Sequence, residues 1–189
     1  MDLEKIKALI RVASESDDQD ALDGVVELQA LINSHDELTA QLEAEALELR
    51  FGDFTLDDAW ELGCSMRAAA ADADLPIAIG IVLGEQRVFH TALPGSSADN
   101  DDWLARKTRV ALRYGKASLA VGEAFRDRGG DFDTDSRLDV GQFAAHGGVV
   151  PLRLRGGAVI GAVGVSGLPQ RDDHALVVEC LREFLASAG

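Results

Sequence analysis

Residues Phe143–Phe184 read FAAHGGVVPLRLRGGAVIGAVGVSGLPQRDDHALVVECLREF. The stretch divides into a short helix and two apolar strands, Val149–Leu154 and Ala158–Val165, turned at Arg155-Gly156-Gly157. A Ser-Gly-Leu-Pro turn and an amphipathic helix from Arg171 complete it. On that last helix Val177, Val178, Leu181, Phe184 and Leu185 recur at helical spacing, and His174 borders their stripe. A hairpin sets the start of one strand beside the end of its partner. The pattern therefore brings His146, Gly147 and Gly148 toward Asp172, Asp173 and His174 at one sheet edge. It predicts that the two imidazoles approach one another, with Asp172 or Asp173 orienting one of them through its second nitrogen.

Upstream, Ile77–Leu83 and Arg87–Leu93 form a second hairpin across Gly84-Glu85-Gln86. Helices flank it: one from Thr55, with Thr55 and Asp58 spaced as a capping box, and one entered through Ser97, Asp99 and Asn100. The second carries Trp103, Leu104, Lys107, Val110 and Ala111, with Asp101 and Asp102 in its first turn. A further helix spans Ser118–Arg128, Asp131–Asp139 is a polar loop, and Leu49–Phe54 is a candidate edge strand after a helix from Leu38 to about Glu48. Two hairpins with helices between them imply an antiparallel sheet with helices on its faces.

Residues 1–37 differ from the rest. Leu3, Ile6, Leu9, Ile10 and Ala13 make one helical stripe, and Leu22, Val25, Val26, Leu28, Leu31 and Ile32 make another, with a polar loop between. This helical extension precedes a main domain of residues 38–189. A helical pair this short does not bury its stripes alone, so it packs on the main domain or on another subunit, and a homo-oligomer is expected.

The chain carries 18 basic and 33 acidic residues, a net charge of -15, which argues against a nucleic-acid surface. It contains neither an apolar run long enough to span a bilayer nor a secretory leader pattern, so no membrane insertion and a cytoplasmic location are expected. Cys64 and Cys180 lack the spacing of a zinc site and read as small core residues. The glycines of 156–167 do not form a nucleotide loop, and Gly164-Val165-Ser166-Gly167-Leu168 misses the nucleophile elbow at its last position.

No local histidine pair suggests a metal site, and no catalytic set is assigned. His90, within a strand, reads as structural. His146 beside two glycines exposes both an imidazole and backbone N–H groups, and His174 reads either as part of a helix start or as a ligand contact. Arg106, Lys107, Arg109 and Arg113 form the one basic concentration. The arginines read as a solvated face, while Lys107 beside Trp103 is a candidate to reach a pocket and bind a carboxylate.

Several linked segments resemble a known family: Leu75-Pro-Ile-Ala-Ile, Ala92-Leu-Pro-Gly, Asp99-Asn-Asp-Asp-Trp, Arg106-Lys107, Ala145-His-Gly-Gly, Gly161-Ala-Val-Gly-Val-Ser-Gly-Leu-Pro and Asp172-Asp-His-Ala-Leu-Val-Val-Glu. Together they resemble the haem-degrading-type, GlcG/HbpS-like domain over roughly residues 38–185. The likeness is to the branch of largely unassigned function that includes fungal relatives linked to tail-anchored protein delivery. The resemblance implies a profilin-like α/β fold with about five antiparallel strands, assembly into higher oligomers, and in some members binding of haem or corrinoids.

These readings converge on an oligomeric binding or accessory protein for haem, a corrinoid or another small anionic ligand. Trp103, Lys107, His146, Gly147, Gly148, Asp172, Asp173 and His174 are its candidate contacts. A redox enzyme acting on haem or a related cofactor, and a protein-interaction module, are the alternatives.

Overall fold

The computed structural model describes residues 37–187, together with Val26 and Gln29 ahead of them. Apart from those two and Glu37, the expected helical extension lies outside the described residues. Helix α1 covers residues 37–48 and turns Leu38, Leu42 and Glu45 inward, followed by Leu49. The elements after it are β1 (Arg50–Phe51), α2 (Leu56–Asp72), β2 (Ala78–Leu83), β3 (Gln86–Ala92), α3 (Ala98–Tyr114), α4 (Ser118–Arg126), α5 (Phe132–Asp135), β4 (Val149–Leu154), β5 (Val159–Ser166) and α6 (Gln170–Ser187).

The five strands form one sheet in the order β1-β4-β5-β2-β3. Both expected hairpins are present, and the central contact is the antiparallel pairing of β2 with β5, Ile79 opposite Val165 and Ile81 opposite Val163. The edge strand β1 departs from the antiparallel expectation, because it runs parallel to β4, with Phe51 opposite Leu154. Alternation along the strands separates two cores. Ile79, Ile81, Leu152, Val163 and Val165 face α2 and α6, meeting Leu62, Met66, Val177 and Leu181, and each such burial contributes about 1.5–3 kcal/mol. The opposite face shows Ala78 and Ala162 to Leu104 and Ala111 of α3, so small residues let that helix lie close.

Local chemistry fixes the ends. The Thr55 N–H donates to Asp58 Oδ2 at 2.6 Å and the Asp58 N–H donates to Thr55 Oγ1 at 3.1 Å, the capping box read from the sequence. The helix α3 begins at Ala98, so Asp99 and Asp101 occupy its first turn and Asp102 lies beyond it. The expected polar loop at 131–139 contains the short helix α5. The Asp131 carboxylate there accepts from the N–H groups of Asp133 and Thr134, which supplies the cap that a polar run does not advertise.

The segment at 143–148 is not the short helix expected. It runs without regular structure along α3, where the Ala144 N–H donates to the Arg106 carbonyl, and Gly148 at φ 120° turns it into β4. The arginines grip the same loop. Arg106 and Arg109 donate to the carbonyls of Val140 and Gln142, and Arg113 lies over the Phe143 ring; Arg109 and Arg113 are exposed, as expected of a solvated face, and Arg106 is partly buried.

Both cysteines are free. Cys180 is buried, which pushes its thiol up to about 11, whereas Cys64 is exposed, not the core residue expected, because it lies on the outer face of α2. No helix among the described residues is long and apolar enough to cross a membrane.

Candidate functional site

The site forms where three chain segments meet at the end of β5. From α3, Lys107 occupies a position of the buried stripe beside Leu104, Val110 and Ala111, and its side chain is 3% exposed. A charge placed there needs full compensation, since burying an unpaired ammonium costs several kcal/mol. Lys107 Nζ donates to Asp173 Oδ2 at 2.8 Å, to the Gly147 carbonyl at 2.9 Å and to the Val165 carbonyl at 3.0 Å. An ammonium has three protons, and all three are engaged within the protein.

Asp173, the inward member of the first turn of α6, completes the arrangement by accepting the Leu168 N–H on Oδ1 at 3.0 Å. Burial pushes Lys107 below the ordinary lysine range and Asp173 above the ordinary carboxylate range, while their mutual attraction opposes both shifts. The contacts are those of the charged pair. Lys107 thus clamps α3, the 143–148 loop, the end of β5 and α6 together, and has no donor left for an external carboxylate.

Gly147 and Gly148 make that clamp possible. A Cβ on Gly147 would lie 1.9 Å from the Gln170 carbonyl oxygen, and one on Gly148 would lie 2.6 Å from Lys107 Nζ. A second anchor secures the start of β4, where the buried Ser118 hydroxyl receives the Val149 N–H at 3.1 Å and donates to the Val149 carbonyl.

Against the clamp lies a cleft of about 270 Å³, walled by Trp103, His146, Leu168 and Gln170, with Lys107 and Asp173 at its base and Asn100 at its side. The rings of Trp103 and His146 meet edge to face, with centroids 5.1 Å apart, and the Arg106 guanidinium lies 4.0 Å over Trp103. Arg106 Nε sits 2.8 Å from Asp102 Oδ2. Burial lowers the His146 pKa, nearby Asp133 opposing and the positive Arg126, Lys107 and Arg106 assisting, so its imidazole is neutral at pH 7. His90 is held by Asp101 at 2.6 Å and His174 by Glu45 at 2.8 Å, whereas His146 makes no hydrogen bond among the described residues.

The structure therefore joins Trp103, Lys107, His146, Gly147, Gly148 and Asp173 and leaves out two expected members. Asp172 is exposed on the first turn of α6, one helical position away from the inward face. His174 does not approach His146 at a shared edge. It turns toward α1 and lines a different cavity, of about 180 Å³, between α1, α4 and β4. Its Nε2 meets Glu45 Oε2, and Nδ1 is buried without a hydrogen-bond partner among the described residues. The hairpin register correctly places the backbones, but successive helical residues diverge by about 100°, so 172, 173 and 174 serve three different surroundings.

Glu45 escaped the sequence reading. Burial raises its pKa, but the hydrogen bonds from His174 and Gln41 outweigh that and hold it below the ordinary range. The available signal was a carboxylate standing between Leu42 and Leu49 on an apolar stripe. Among the described residues, no cluster of three or more His, Cys, Asp or Glu side chains is arranged for a metal ion.

Comparison with known proteins follows the same residues. A UPF0303 protein of Streptomyces coelicolor is 51% identical over 146 residues, 77% of this chain and 92% of that protein. One from Edwardsiella ictaluri is 41% identical across 80% of this chain and 97% of its own length. Among solved structures, the Ybr137w protein superposes with a TM-score of 0.73 at 31% identity, covering 79% of this chain and 88% of that one. The haem complex of PduOC superposes with a TM-score of 0.57 at 20% identity, over 68% of this chain and 93% of that one, a likeness of fold. Residues 54–182, which hold strands β2 to β5, the clamp and the cleft, match the model of the haem degrading protein HbpS-like family, and the chain belongs to that family.

Proposed function

We propose that this chain is an oligomeric binding or accessory protein that takes haem, a corrinoid or another small anionic ligand at the Trp103–His146 cleft. The observation that carries the reading is the place of His146: half-buried at the cleft, its ring against Trp103, and without a hydrogen bond among the described residues, with burial favouring its neutral form. A nitrogen in that state would be able to ligate the metal of a tetrapyrrole, and the Trp103 ring beside it would supply apolar surface. The haem-bound relative PduOC adds support of fold and family.

The cleft is slightly smaller than the roughly 300–1,000 Å³ of pockets that enclose a drug-sized ligand. Arg106 on the Trp103 face would take a propionate or another anionic substituent, the part first expected of Lys107. Lys107 and Asp173 are spent on each other, so the cleft favours holding a ligand over transforming one. Leu56 and Trp60, four apart on α2 and 60% and 63% exposed, offer an apolar face to a second subunit.

Haem titration followed by Soret absorbance tests the reading. His146→Ala is expected to weaken binding well beyond tenfold, about 1.4 kcal/mol. His90→Ala and His174→Ala should weaken it less. In the wild type, affinity should fall as the pH drops through the lowered pKa of His146, because protonation removes the ligating lone pair. Equal affinity in all three variants would leave His146 a packing residue.

A further inference from the structure

Ser166 is the last residue of β5, and because Val165 before it packs into the core under α2 and α6, it faces the α3 side of the sheet. It is 4% exposed, lines the cleft, and its hydroxyl makes no hydrogen bond among the described residues. A hydroxyl so enclosed calls for a partner inside the cleft. Two carboxamides line the same space, Asn100 from the start of α3 and Gln170 from the start of α6. Asn100 Oδ1 accepts the Ser97 N–H at 2.7 Å, and Gln170 Oε1 accepts the Gly147 N–H at 3.3 Å. Only the oxygen of a carboxamide can receive a backbone N–H, so both groups are fixed in orientation and each keeps its NH2 as a donor.

The acceptors at the base are already spent. Asp173 takes Lys107 on one oxygen and the Leu168 N–H on the other, and the carbonyls of Gly147 and Val165 also take Lys107. The base therefore presents donors and fits an acceptor. It presents no spare positive charge, since Lys107 is balanced by Asp173 and Asp99 adds a carboxylate to the wall. A carboxylate brought to this depth would lose its water without gaining a cation. An uncharged carbonyl oxygen loses far less on desolvation and can accept from two of the donors at once. Above the base, the edge-to-face rings of Trp103 and His146 make an aromatic wall suited to a planar group.

We infer that the base of the cleft is a subsite for an uncharged carbonyl or carboxamide oxygen, to which Ser166 Oγ, Asn100 Nδ2 and Gln170 Nε2 donate, carried by a planar ligand lying against Trp103 and His146. The inference rests on the reading of the cleft as a ligand site and adds the chemistry that selects the ligand. An anionic substituent stays at the mouth on Arg106, and the inward end is chosen for its lack of charge.

Benzamide and benzoate share a ring and differ in the charge of the group beside it, so the pair tests the subsite. The full-length protein is titrated with each at millimolar concentration while nitrogen–proton correlation spectra follow the side-chain NH2 groups of Asn100 and Gln170. Benzamide should bind at least tenfold more tightly than benzoate and shift both NH2 resonances. Asn100→Asp and Gln170→Glu keep the oxygen that receives the backbone N–H and lose only the donors, so both should retain the circular dichroism of the wild type. Each of them, and Ser166→Ala, should weaken benzamide binding about three- to tenfold, the usual worth of one neutral hydrogen bond. Benzoate binding as tightly as benzamide, no response to benzamide, or unchanged affinity in all three variants would overturn the subsite. Haem affinity that still depends on His146 would then leave the ligand reading standing. If neither benzamide nor haem moves either resonance, the subsite and the ligand reading fall together.

Discussion

Replacing Lys107 with Ala is expected to cost about 3–5 kcal/mol of folding stability, the loss usual when one partner of a buried ion pair is removed. The variant leaves the Asp173 carboxylate, 3% exposed, without its cation, and strips the Gly147 and Val165 carbonyls of their shared donor. Lys107→Met combined with Asp173→Asn should recover a substantial part of that loss, because no charge then remains buried and Asn can still accept the Leu168 N–H. Urea unfolding of Lys107→Met, Asp173→Asn and the double variant measures the coupling directly. A loss below about 1 kcal/mol for Lys107→Ala is what a solvated surface lysine gives, and would contradict the clamp.

Gly147→Ala should be of similar size, about 3 kcal/mol or more, for a steric reason. The added Cβ would sit 1.9 Å from the Gln170 carbonyl oxygen, which belongs to the first turn of α6 and cannot yield without moving that helix. Overpacking against a flexible side chain usually costs about 1–3 kcal/mol, and backbone leaves fewer ways to relax. Because Gly147 also offers its carbonyl to Lys107, the variant should disturb the clamp and the cleft together. Gly156→Ala is the control: nothing lies within 4 Å of its Cβ position, and its stability should stay within about 0.5 kcal/mol of wild type. A thermal or urea midpoint for Gly147→Ala close to that of the control would show that the loop relaxes freely.

The strands, their hairpins and most helices were legible because each follows from a local pattern. Alternation and turn glycines mark β4 and β5, and the Thr55 and Asp58 pair marks the start of α2. The short parallel pairing of β1 was not legible, since two residues carry no pattern and the partner lies some 100 positions away. The cleft was half legible. Hairpin register brings Gly147 and Gly148 to the end of β5, and the helical spacing of Trp103 and Lys107 puts both on one face.

What the sequence concealed was direction. Asp172, Asp173 and His174 are neighbours in the chain, yet they point to solvent, to Lys107 and to Glu45. The role of Lys107 was also hidden, because a lysine that binds a ligand and a lysine saturated by three internal acceptors look identical in one dimension. Its place in an apolar stripe, beside Leu104 and Val110, was the clue that it is enclosed. Glu45 and Asp173 stand in apolar stripes in the same way, and each proved to be one half of a buried pair.

The chain has two tryptophans, one in the cleft and one on the outer face of α2, so a single spectrum can distinguish ligand entry from adventitious surface binding. With 5-fluorotryptophan incorporated, titration with ferric haem should broaden the fluorine resonance of Trp103 through the paramagnetic iron and leave that of Trp60 sharp. His146→Ala should abolish the broadening at the same haem concentration. Broadening of Trp60 with Trp103 unaffected, or broadening of Trp103 that persists undiminished in His146→Ala, would contradict a ligand held at the Trp103–His146 cleft.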